Sequence, residues 1–322
     1  MGAFARDLGR SVPPRSRTDL LAAGLTPRTL SSGRWRQVTH GWHVPADVAE
    51  TPAQRIVQSA SIVPEGCVSG WAAAYVLGAD ALDGRDPFTG SQQPVRLVLA
   101  PGASHRHLPG TRCVRGALEA GQVVTHHGFR VTAGPRTAED LAREAENLTE
   151  AVVALDVLVR AGLVRRRVLE SDLGACTGGR GARQARLAVA LCRTGVRSPW
   201  ETRLRLFVLE LGLPEPLVNV PVFDLEGRFL GAPDLLDVEA GLAVEFDGAG
   251  HRERKQHRAD NVREEGFERG GLVVARADSL DLTVHRAELG RRLRAAHADA
   301  LRNRRPVRWT LAAPSWWRGL PA

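Results

Sequence analysis

Acidic residues spaced for two neighbouring strands are the part of this sequence whose chemistry is easiest to name. Asp234 follows Pro233, and Glu245 stands eleven positions later between Val244 and Phe246. That interval holds the end of one strand, a turn and the return on its neighbour, so both carboxylates can face one cleft. Asp247 is two residues beyond Glu245, and strand alternation puts it on the same face. A Gly-Ala-Gly bend then brings in His251. Carboxylates set among apolar neighbours are costly to bury without a partner. Hard cations such as Mg2+ (or Mn2+) are held by one or two carboxylates, with water and phosphate as the other ligands. A cation held there would activate water and neutralise charge on a scissile phosphate. Plainer readings stand beside this one. Asp237 and Glu239 read as solvated or turn-forming acids, Glu201 as one half of an exposed helix ion pair, and His251 as a hydrogen-bonded surface side chain. Arg258, Asp260 and Arg263 read as a solvated helix face.

The elements that must position these residues can be read around them. Ser198 and Pro199 start a helix running to Leu211, which Gly212 and Pro214 end. Strands are expected over Leu217–Phe223, Phe229–Leu236 and Gly241–Phe246, with a turn at Asp224–Arg228. A polar helix follows over Glu253–Arg269, then a last strand over Leu272–Arg276. The order is helix, three strands, helix, strand. An arginine-rich helix, Val284–Asn303, and a tail with Trp316 and Trp317 complete this part. The tail is a poor candidate for the core.

Residues 1–80 carry a different pattern. Helices are expected over Phe4–Arg10, Arg17–Ala23 and Pro27–Ser32, the last capped by Thr26 with Pro27 at its first position. Two short helices around Gly24 followed by two strands around Gly41 form a helix-turn-helix with a wing. Further helices are expected over Arg55–Ile62 and Ser69–Leu77. Residues 81–195 read as an α/β connecting segment: strands at Val95–Ala100, Arg112–Arg115, Gln122–His126 and Phe129–Thr132, then four helices. Its histidines, His105, His107, His126 and His127, have no convincing ligand spacing. The run Thr177–Gly181 lacks the lysine and preceding strand of a phosphate loop and reads as a linker. The domain expectation is therefore 1–80, 81–195, 196–285 and an arginine-rich helix and tail, 286–322, in an α/β chain that is α+β overall.

Composition narrows the class. The formal charge of +8 favours polyanionic partners. Lys255 is the only lysine among 44 basic residues, which looks like codon bias and weakens arginine abundance as a sign of phosphate contacts. Cys67, Cys113, Cys176 and Cys192 show no zinc-ligand spacing and read as reduced thiols. No apolar run approaches the roughly 18 residues needed to span a bilayer, and the N-terminal segment lacks the apolar stretch of a secretory signal. A cytoplasmic protein with no membrane partner is expected. The oligomeric state is not legible.

Proline-aspartate, ten residues, then Glu245-Phe246-Asp247-Gly248 and His251 resembles the catalytic core of the PD-(D/E)xK nuclease superfamily, most of all its Vsr-like branch. The flanking Ser198–Arg205 helix, Gly212-Leu213-Pro214, Asp260, Arg263 and Gly271–Arg276 extend the resemblance over about residues 198–282. It implies a restriction-endonuclease-like αβββαβ core, a Mg2+ ion at Asp234 and Glu245, and Glu201 facing the same site. Asp247 stands where the superfamily pattern has lysine. His251 would then serve as general base, with Lys255, four residues on, as a substitute for the missing cation. The run Thr18–Pro45 resembles the winged-helix domain of AbiEi-type antitoxins. If it binds DNA, Arg28, Thr29, Ser32 and Arg34 would lie near bases or phosphates, with Arg258 and Arg263 as further DNA contacts in the nuclease-like part. The resemblance implies a metal-dependent DNA endonuclease. The competing expectation is a non-catalytic DNA-binding regulator or antitoxin-like protein with a degenerate nuclease fold, and a third is a toxin–antitoxin or phage-defence component.

Overall fold

Helix caps decide where the first elements begin. The structure is a computed structural model that describes residues 2–104, 107–174, 178–248, 263–303 and 305–319. After α1 (Ala3–Leu8) and a two-residue strand β1 (Arg15–Ser16), the Ser16 side chain accepts from the Asp19 amide and starts α2 (Arg17–Ala22). The Thr26 side chain accepts from the Thr29 amide and starts α3 (Pro27–Leu30), a single turn. Gly24, at φ +89°, makes the tight turn between them. Strands β2 (Trp35–Thr39) and β3 (Trp42–Pro45) then pair around Gly41, and β1 adds to β3, giving the order β1-β3-β2. This is the element order of a winged helix-turn-helix.

The chain divides into two compact units, Met1–Cys192 and Arg193–Ala322. In the first, the winged segment continues into α4 (Pro52–Ile62), β4 (Cys67–Ser69) and α5 (Gly70–Val76). Strands β5 (Val95–Leu99), β6 (Thr111–Arg115), β7 (Val123–His126) and β8 (Phe129–Thr132) complete a sheet of order β6-β5-β4-β8-β7. Residue 80 therefore lies inside one unit: β4 before it pairs with β5 and β8 after it. Phe4, Ile56, Trp71, Tyr75, Leu97 and Val131 are buried in the same core. Helices α6 (Gly134–Glu144), α7 (Leu148–Arg160), α8 (Arg166–Asp172) and α9 (Ala182–Leu191) follow, close to the expected spans.

The second unit begins with α10 (Pro199–Glu210), where the Ser198 side chain accepts from the Glu201 amide. The expected long hairpin is present but bent. Its base is β9 (Leu217–Val218) against β12 (Leu235–Asp237), and its outer part is β10 (Val222–Asp224) against β11 (Phe229–Gly231). Asn219 at φ +50° and Pro221 interrupt one arm, and Pro233 interrupts the other. Proline donates no ladder hydrogen bond, so each arm breaks in two. The outer part joins β15 (Trp309–Thr310) in a small sheet of its own. The tail thus contributes a buried tryptophan, Trp309, where a loose tail was expected.

The main sheet of this unit runs β14-β13-β12-β9. β13 (Leu242–Asp247) is antiparallel to β12 and parallel to β14 (Val273–Asp278). The chain between the parallel strands includes the helical residues 263–270, here α11. With α10 in front, this is the expected helix, three strands, helix, strand. Leu242 and Val244 pack on one face with Leu204 of α10, α12 (Ser279–Thr283) and α13 (Arg286–Arg302). Ala243 packs on the other with Phe267 of α11 and Trp309. Both faces are covered, so β13 begins as an unbroken apolar run and turns acidic only at its C-terminal end.

Candidate functional site

The register of β12 on β13 pairs Leu235 with Val244. One step further along the ladder, Asp234 lies opposite Glu245. The Asp234 carboxylate accepts from the Phe246 amide at 2.7 Å, which locks it across the strand pair. Glu245 and Asp247 alternate onto the α11 side of β13, where the Arg263 guanidinium donates to Glu245 Oε2 at 2.6 Å. Asp247 stands opposite Asp278 of β14.

Glu201 is 6% exposed on the first turn of α10. Its Oε2 accepts from the Arg197 amide at 2.9 Å and from Asn219 Nδ2 at 2.6 Å. The plainer expectation of an exposed ion pair does not hold for this side chain. Asn219 is not among the expected site residues, yet it ties the site together. Its side chain holds Glu201 and the Gly195 carbonyl, and its backbone amide donates to the Asp234 carbonyl at 3.1 Å. The one signal in the sequence is a polar residue inside the apolar run Leu217–Phe223, two positions before a proline. Trp200, next to Glu201, stacks on Phe246 with ring centroids 5.5 Å apart and planes 6° from parallel. Arg203 lies over the Trp200 ring at 4.7 Å.

The Asp234 carboxyl is pushed up to about 7. Burial is the largest cause and the negative charge of Glu201 the next; the Phe246 hydrogen bond works against them, Glu245 adds to them and Arg263 opposes. Three acids, on α10, just before β12 and on β13, are thus close enough to feel one another, in a setting where ionising Asp234 is unfavourable. A bound cation would reverse that balance. Among the described residues no three His, Cys, Asp or Glu side chains form a ready-made metal cluster. Two carboxylates nonetheless suit Mg2+, which keeps several waters and takes few protein ligands. The buried Asn219 Oδ1, which has no hydrogen-bond partner among the described residues, is one more hard oxygen in this part of the unit.

His251, Lys255 and Arg258 lie outside the described residues. In the winged segment Arg28 and Arg34 are exposed. The Thr29 and Ser32 hydroxyls are committed locally: Thr29 Oγ1 bonds Thr26 Oγ1 at 2.9 Å, and Ser32 donates to the Thr29 carbonyl at 2.6 Å. His126 and His127 stack edge-on to one another at 4.4 Å. Cys67 and Cys113 are free thiols. Among the described residues no helix is long and apolar enough to cross a membrane.

No protein-family model matches the chain, and no curated protein matches it. Among solved structures the chain is similar to the RV2827C protein from Mycobacterium tuberculosis. The identity is 16% and the TM-score 0.36, over 67% of this chain and 82% of that one. At that score the likeness defines neither fold nor activity.

Proposed function

We propose that the second unit is a metal-dependent DNA endonuclease-like domain of the PD-(D/E)xK type, and that the winged segment contacts DNA in a cytoplasmic, DNA-associated protein. The observation that carries this reading is the crowding of Asp234 by Glu201 and Glu245 at the C-terminal end of β13, which a divalent cation would relieve. Asp234 and Glu245 would hold the ion. When bound, Mg2+ or Mn2+ supplies charge neutralisation at a phosphate and acidifies water. The rest is done by the chain. Asn219 and the Arg197 amide fix Glu201 beside the pair. The Phe246 amide orients Asp234. Arg263 counters Glu245 and would have to share or release it as the ion binds. Asp234, its carboxyl pushed up to about 7, would be held in its ionised form by a bound cation.

A second reading is a non-catalytic DNA-binding regulator built on the same sheet. Two observations favour it: Asp247 stands at the position where the superfamily pattern has lysine, and Glu245 already has a cationic partner in Arg263. Incubating the full chain with supercoiled plasmid decides between them. The enzyme reading expects nicking with Mg2+ or Mn2+ that chelator abolishes and that Asp234→Ala and Glu245→Ala both lose. Absence of metal-dependent nicking, or nicking that survives both substitutions, leaves the regulator.

A further inference from the structure

The first unit contains a cleft of about 180 Å3 between the wing strand β2, helix α4 and the turn that leads into β6. Its chemistry is unlike that of a generic surface groove. Gln58 of α4 lines it and is 5% exposed, yet its amide nitrogen is buried without a hydrogen-bond partner among the described residues. Arg36 of β2 also lines it. One guanidinium nitrogen of Arg36 is held by Glu50 at 3.3 Å, while Nη2 is buried and has no partner among the described residues. A buried donor left unsatisfied is costly, and two at one cleft call for an acceptor.

The other wall residues define what that acceptor is attached to. Arg55, 7% exposed, has its own donors engaged by the Gly84 and Gln93 carbonyls and sits over the Trp71 ring at 5.0 Å. It contributes charge to the cleft, with its donors turned to those carbonyls. Against Arg36 and Arg55 the lining holds one acid, Glu50, so the cleft is one positive charge in excess. Ser59 and Thr111 bond each other at 2.7 Å. Val38, Ile62, Leu108 and Pro109 supply an apolar wall. The volume is that of a single-ring molecule, since a cavity of about 150 Å3 holds benzene.

We propose that this cleft binds a small organic monoanion: a carboxylate on a body of one ring or a short chain. The carboxylate is drawn by the Arg36 and Arg55 charges and accepts from Gln58 Nε2 and Arg36 Nη2, both covered in this structure, once these side chains turn toward it; the body lies on Val38, Ile62 and Leu108. An inorganic anion would leave the apolar wall uncovered, and a cation would meet Arg36 and Arg55. The cleft shares no residue with the acidic cluster, while its Arg36 and Val38 stand on the wing strand of the segment proposed to contact DNA.

Benzoate is the probe, on the full chain, by saturation-transfer NMR and by the shift it causes in thermal unfolding. The expected dissociation constant is about 1 mM or tighter, as befits a ligand of this size. Benzylamine should bind at least about tenfold more weakly, and Gln58→Leu and Arg36→Ala should each weaken benzoate about tenfold through loss of a charge-assisted hydrogen bond. Gln58 is buried and its substitution can disturb α4. Arg36→Ala, on the partly exposed wing, then carries the test, with its thermal transition confirming the fold. Four results would overturn the proposal: no benzoate binding at about 10 mM, equal binding of benzoate and benzylamine, unchanged benzoate affinity in Arg36→Ala, or inorganic phosphate binding more tightly than benzoate.

Discussion

Asp234→Asn separates the two things this carboxyl does. The group lies well above its ordinary 3.8, at about 7, mainly because it is buried and next because Glu201 is close. An acid whose folded value is raised binds its proton more tightly in the folded state. Its contribution to stability is present below about pH 4 and is lost as pH rises from there through about 7. At about 1.4 kcal/mol for each pH unit, the gap between 3.8 and about 7 sets a ceiling of about 4 kcal/mol on that loss. Water entry and the nearby Arg263 guanidinium reduce it, so about 2 kcal/mol is the expected size. Asparagine keeps an oxygen to accept from the Phe246 amide and never ionises. With chelator present, the variant should match the native chain at about pH 4.5 and exceed it by about 2 kcal/mol at about pH 8. The chain has two units, so a single global unfolding curve is not the right assay. Hydrogen exchange on peptides covering β12 and β13, corrected for intrinsic rates, reads the local free energy. A gap between native and variant that does not grow with pH would falsify the reasoning, as would destabilisation by asparagine at both pH values.

Other perturbations test the parts that hold the site. Asn219→Ala removes the bonds to Glu201 and the Gly195 carbonyl and forces alanine to φ +50°; it should cost about 2–4 kcal/mol by the same exchange measurement, and Asn219→Gly should recover the backbone share. Gly231→Ala would place a methyl group 2.7 Å from Phe267 Cζ and 2.8 Å from Arg263 Cγ, costing about 1–3 kcal/mol and loosening the Arg263–Glu245 pair, visible as faster exchange over residues 263–270. Arg28→Ala with Arg34→Ala should weaken DNA binding of the full chain in gel shifts and lower its salt slope by about 2, whereas an unchanged slope removes both residues from the phosphate contacts.

Local signals carry most of the fold. Ser198-Pro199 and Thr26-Pro27 each announce a helix start, and both side chains cap as their chemistry requires; Thr51 does the same for α4, which begins at Pro52, three residues before the expected Arg55. The acid spacing from Asp234 to Glu245 depends only on strand alternation and turn length, so their cross-strand placement is legible. What is not legible depends on distant partners. β4 is three residues long and is defined by pairing with β5 and β8, which lie on the far side of the expected boundary at residue 80. The arms of the hairpin read as continuous strands because a lone proline, Pro221 or Pro233, does not say whether it ends a strand or divides it between two sheets. Arg263 reads as part of a solvated helix face or as a DNA contact, and only the return of α11 over β13 sets it against Glu245. Asn219 escapes a reading of the sequence because its role rests on the close approach of α10, which no local pattern encodes.

The central claim is that Asp234 and Glu245 form a cation site, and calorimetric titration of the full chain with Mn2+ tests it most directly. One ion per chain should bind near neutral pH with release of a proton from Asp234, seen as a buffer-dependent heat, and binding should weaken as pH falls below about 7. Asp234→Asn and Glu245→Gln should each abolish it. Absence of saturable Mn2+ binding, or binding unchanged in both variants, would contradict the assignment and leave the acidic cluster a structural feature of the sheet.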